Sequence, residues 1–190
     1  MRWDALFADL EAQWDAELRR ERDVEVADRT RGERARVALL DRLARQRGAR
    51  LELVVMPGER ITGQLSDLGA DWLLLEQGEG HDESLGGPPP RPVLVHLPAV
   101  LAVDGLGHRV GDPGMARRIG ITQALRGISR DRATVTVVDV SGGQTVGTID
   151  GVGADFIDVA EHARDEARRA AAVRGRRAVP LTAIATVRPG

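Results

Sequence analysis

The sequence predicts an α+β protein: N-terminal helices followed by two copies of a small five-stranded β-barrel, each copy preceded by a helix. Three observations predict it. An apolar stripe at helical spacing opens the chain, a strand-and-turn pattern recurs at an offset of 84 residues, and each copy carries five short β-type runs.

The opening helix rests on Trp3, Leu6, Phe7, Leu10, Trp14 and Leu18, which recur at spacings of three and four. Such a stripe either packs on the rest of the chain or binds a partner. Trp3, Phe7 and Trp14 are therefore the candidate partner-binding residues. A second helix is predicted over Arg34–Arg47, with Val37, Leu39, Leu40, Leu43 and Ala44 on its buried side. The first barrel follows, with strands at Leu51–Val55, Arg60–Leu65, Trp72–Leu75, Val93–Leu97 and Val100–Val103. Gly58 and Gly69 mark its turns. Glu76–Pro92, rich in Gly and Pro, is its extended loop. A third helix, Met115–Ser129, leads into the second barrel. Its strands are Thr134–Val138, Thr145–Ile149, Phe156–Val159, Ala178–Leu181 and Ile184–Val187. The Ala- and Arg-rich stretch Ala160–Arg177 reads as a short helix ending near Gly175. The divisions are a helical segment over residues 1–48, barrels over 49–106 and 132–190, and a linker with a helix over 107–131.

The duplication is explicit. Gly63-Gln64-Leu65-Ser66-Asp67-Leu68-Gly69-Ala70-Asp71-Trp72 recurs as Gly147-Thr148-Ile149-Asp150-Gly151-Val152-Gly153-Ala154-Asp155-Phe156. The same offset carries Leu51 to Val135, Gly58 to Gly142, Val95 to Val179 and Val103 to Val187 without a gap. A period this long is a repeated small domain rather than a solenoid unit. A sheet of five short strands must curl and close to cover its faces and edges, which favours a partly open barrel. Asp71 and Asp155, repeated after Gly-Ala, read as turn residues bonding local backbone amides.

Gly63-Gln64-Leu65, Leu73-Leu74-Leu75 and Ala183-Ile184-Ala185-Thr186-Val187 resemble the strands of the Sm-like fold, most closely those of the Hfq-type bacterial RNA chaperones. The resemblance implies tandem Sm/SH3-like barrels. At the family's RNA-contacting positions this chain has Gly69-Ala70-Asp71 and Gly153-Ala154-Asp155 in place of Asp-Gln-Phe. It has Leu97-Pro98 and Leu181-Thr182 in place of Lys-His. RNA binding of the family's kind is therefore not carried over, whereas SH3-like barrels also serve as protein-interaction modules. A shorter stretch, Ala124–Val135, resembles the helix-turn-helix of Fis-type regulators, in which Arg130 and Arg132 would start a recognition helix. Thr134–Val138 nevertheless aligns with a strand of the first copy, and its β-branched run is a poor helix.

Composition narrows the function. All 27 basic residues are Arg, the net charge is −2, aromatic residues make up 3%, and there is no Cys or Tyr. Disulfides, thiolate metal sites and a cysteine nucleophile are excluded, and a base-stacking aromatic surface nearly so. Residues 1–28 and 51–106 are acidic, while 29–50 and 107–132 are basic, a pattern of internal complementarity more than of one polyanion-binding face. His81, His96, His108 and His162 lack ligand spacing, and no phosphate loop or nucleophile motif is present. No cofactor or metal is expected, nor any enzymatic activity. With no apolar run of membrane length and no apolar leader, the expectation is a cytoplasmic protein with no membrane partner. The expected function is a non-catalytic adaptor or regulator acting by protein–protein contact, self-association included. The alternative is a nucleic-acid-binding regulator, RNA chaperone-like or transcriptional, using Arg117, Arg118, Arg126, Arg130, Arg132, Arg176 and Arg177.

Overall fold

The structure, a computed structural model, describes Trp14, Glu17, residues 19–23, Glu25, Gly32, and residues 35–78, 89–163 and 175–190. The chain divides into two compact units, Met1–Ala38 and Leu39–Gly190. In the first, Trp14, Glu17, residues 19–23, Glu25, Gly32 and Ala35 are helical and exposed, Trp14 at 72%. Trp3 and Phe7 lie outside the described residues.

The second unit begins with helix α1 (Leu39–Ala44), then strands β1 (Arg50–Val55), β2 (Glu59–Leu68), β3 (Trp72–Gln77), β4 (Arg91–His96) and β5 (Val100–Asp104). A 3-10 turn at Gly114–Arg118 and helix α2 (Ile121–Asp131) follow. Then come β6 (Thr134–Asp139), β7 (Gln144–Val152), β8 (Phe156–Glu161), β9 (Gly175–Pro180) and β10 (Ile184–Pro189). All ten strands form one antiparallel sheet in the order β5-β1-β2-β3-β4-β10-β6-β7-β8-β9.

Two separate Sm/SH3-like barrels are thereby overturned: the fold is mostly β, one open ten-stranded sheet. Apolar alternation tells which face of a strand is buried, not which edge finds which neighbour. Here β4 and β10 pair with each other, so neither five-stranded set closes on itself. The Fis-type resemblance fails as well, because Arg132 ends α2 in the left-handed conformation (φ 50°) and a strand follows.

The 84-residue offset is kept in the pairing. Leu51 opposes Gly63 as Val135 opposes Gly147, and Leu73 opposes Val95 as Ile157 opposes Val179. A bulge interrupts β2·β3 between Leu65 and Asp67, and β7·β8 between Ile149 and Gly151. Just before each bulge, Gly63 and Gly147 lie against the neighbouring backbone. A Cβ at Gly63 would meet the Glu76 carbonyl oxygen at 2.8 Å, and one at Gly147 would meet that of Ala160. Only glycine fits such an approach. At the β6–β7 turn Gly142 takes φ 89°, while the Asp139 carboxylate accepts from the Ser141 and Gly143 amides and the Ser141 hydroxyl. Those bonds, the hydroxyl's above all, hold the Asp139 carboxyl below its usual titration range.

Several predicted bounds shift. The helix expected over Arg34–Arg47 is interrupted at residues 36–38 between a helical Ala35 and α1, and Arg34 lies outside the described residues; Leu43 is fully buried, but Leu39 is 43% exposed and Val37 is exposed too. The helix over Met115–Ser129 is split at Ile119–Gly120 into a 3-10 turn and α2. β8 runs to Glu161 and β9 starts at Gly175, so both ends of Ala160–Arg177 are strand; residues 164–174 between them lie outside the described residues.

Candidate protein interface

The two repeats meet at the seam where β4 pairs with β10. Val95 opposes Thr186 and Leu94 opposes Val187. Its residues cross between the two apolar clusters. Ala185, on β10, is fully buried in the cluster built from β1–β5 and α1, while Trp72 and Leu94 belong to the cluster around α2 and β6–β10. The Trp72 indole N–H donates to the Ile119 carbonyl at 3.0 Å, and the Ala70 amide donates to the same oxygen at 2.8 Å. Asp71 then caps α2: its Oδ1 accepts from the Ile121 amide at 2.6 Å, where Gly120 has no side chain to do so. The bond spans 50 residues of sequence and replaces the expected local turn role of Asp71.

His96 closes the seam. It is 5% exposed, and its Nδ1 lies 3.2 Å from the Ile184 carbonyl oxygen, an acceptor that requires Nδ1–H to donate. Burial pushes its pKa below 6.5, against smaller upward pulls from that carbonyl and from Asp71, whose Oδ2 is 4.0 Å from Nε2. The other buried histidine, His162, donates from Nδ1 to the Ala163 carbonyl and accepts at Nε2 from the Thr148 hydroxyl, both at 2.8 Å. Two cavities border the seam. One, of about 460 Å³, is lined by Gln77, Arg91, Thr136, Gln144 and Arg188. The other, of about 230 Å³, is lined by Leu74, Leu94, Ile128, Val135 and Val187.

The sheet ends at β5 on one side and β9 on the other, and among the described residues neither outer edge has a strand partner. β5 carries Leu101, 56% exposed, and Phe156, beside Gly153 at the start of β8, is 37% exposed. The sequence does not single out β5 and β9 as the outer strands, because nothing local distinguishes an outer strand from β4 or β10.

The candidate arginines are all exposed. Arg117 pairs with Asp41, and Arg177 binds Glu161 at 2.8 Å and the Thr145 hydroxyl at 3.3 Å. Arg126 and Arg130 ride on α2, Arg132 caps it, Arg118 ends the 3-10 turn and Arg176 lies on β9. Among the described residues no group of three or more His, Asp or Glu side chains is placed to hold a metal ion, and no helix is long and apolar enough to cross a membrane. No known protein family, curated protein or solved structure matches the chain.

Proposed function

We propose that this is a non-catalytic cytoplasmic adaptor or regulatory protein that works by protein–protein contact through the open edges of its sheet. The observation that carries it is that β5 and β9 end the sheet without a further strand partner among the described residues, with Leu101 exposed on one of them. An edge presents a row of free backbone donors and acceptors, ready to take another strand.

The test places a photo-crosslinking amino acid at position 101 or 178, and in separate proteins at 126 or 130, in cells. Ala178 is exposed on β9, and the substitution removes no buried group. Expected are protein adducts that survive nuclease treatment. Adducts that nuclease removes, or adducts at Arg126 and Arg130 but not at the edges, would overturn the proposal in favour of nucleic-acid binding.

A further inference from the structure

We infer that β5 of one molecule pairs with β9 of a second copy of the same chain, in the register that β4 and β10 use inside each molecule. This rests on the reading of the protein as an edge-mediated interaction module and names its partner.

The internal seam joins the last strand of one repeat, β10, to the fourth strand of the other, β4. Shifted by 84 residues, those two strands become β5 and β9, the two that end the sheet. Each molecule thus carries both halves of its own seam, one at each end. The pairs Thr186–Val95 and Val187–Leu94 become Ala102–Val179 and Val103–Ala178. Continuing that register sets Asp104, now 3.8 Å from Arg60, opposite Arg177, now paired with Glu161, so the contact would join two existing ion pairs.

Exposure argues the same way. Ala185 and Trp72 are buried because the internal seam covers them. Their equivalents at the ends of the sheet, Leu101 and Phe156, are large apolar side chains left at 56% and 37% exposure. Ile121, the first residue of α2, packs in the cluster that holds Trp72, whereas Leu39, the first residue of α1, is 43% exposed. The residues that the seam hides in the interior are those its absence uncovers at the ends. Such a contact is heterologous, so molecules join head to tail, closing into a ring if the rotation permits and otherwise forming a chain.

The chain has no Cys, so single cysteines report the contact without background. Ala102→Cys and Val179→Cys are made as separate proteins, mixed and mildly oxidised. Expected are a disulfide-linked dimer in the mixture but in neither protein alone, and a light-scattering mass of at least two chains for the unmodified protein. Leu101→Arg and Phe156→Arg should each reduce that mass to one chain while leaving the far-ultraviolet circular dichroism unchanged. If either fails to fold, the cysteine mixture still decides. A monomer with no cross-link across micromolar concentrations would overturn the inference, as would a dimer formed by Ala102→Cys alone. The adaptor reading then stands or falls separately, on whether the photo-adducts in cells contain a different protein.

Discussion

Asp71 shows how one carboxylate can be worth more than its surroundings suggest. A surface ion pair such as Arg47–Asp67 contributes about 0–1 kcal/mol because water competes for both charges. The Asp71 carboxylate instead satisfies the first amide of α2, for which Gly120 offers no other cap. Asp71→Ala should cost about 1 kcal/mol of unfolding free energy, read as a lower urea midpoint. Asp155→Ala, at the exposed equivalent position, should stay within about 0.5 kcal/mol in the dissociated chain. His96 predicts a pH effect of fixed sign. Its folded pKa lies below 6.5, so as pH falls the unfolded chain takes up the proton first. Stability is fully present above about pH 6.5 and is lost as pH falls through the lowered folded value. The urea midpoint should therefore drop between pH 7.5 and 5.5, a range above most carboxylate titrations, and His96→Gln should flatten that drop.

At the level of elements, α2 repays comparison with its sequence. Ile121 and Leu125 are buried on one face, while Arg126 and Arg130 stand exposed on the other. Truncating Leu125 to Ala leaves a cavity in a filled core and should cost about 2–5 kcal/mol. Arg126→Ala should change stability by less than about 0.5 kcal/mol; thermal or urea unfolding distinguishes the two. The Arg-rich pattern of this helix resembles a DNA-reading motif, but the β-branched run after it can only continue as β6. The strands themselves were legible for a plain reason. Period-two burial in β1, the turn at Gly142 and the spacing of Gly63 and Gly147 are all set by residues within a few positions of one another. The start of α2 was not, because Ile119 breaks from helix to give its carbonyl to Trp72 and Ala70, far away in sequence.

For Leu39–Gly190 as a whole, the seam makes the two repeats one cooperative body. Each apolar cluster contains side chains from the other repeat, so neither can unfold without uncovering its neighbour's core. A single calorimetric transition is expected for this unit, with calorimetric and van't Hoff enthalpies in agreement at a concentration where the chain is monomeric. If the head-to-tail contact forms, the transition temperature should also rise with protein concentration, because dissociation then accompanies unfolding.

By itself the sequence determined the ten strands, their turns and the 84-residue repeat, since periodicity, glycine conformation and close backbone approach are local. It also left the chemistry sparse, with no Cys and scattered His. Only the tertiary structure decided that β4 and β10 pair, that Asp71 caps a helix 50 residues away, and that β5 and β9 are left at the ends. Backbone edges are chemically alike from strand to strand, so which of them meet is settled by the shape and packing of the folded whole.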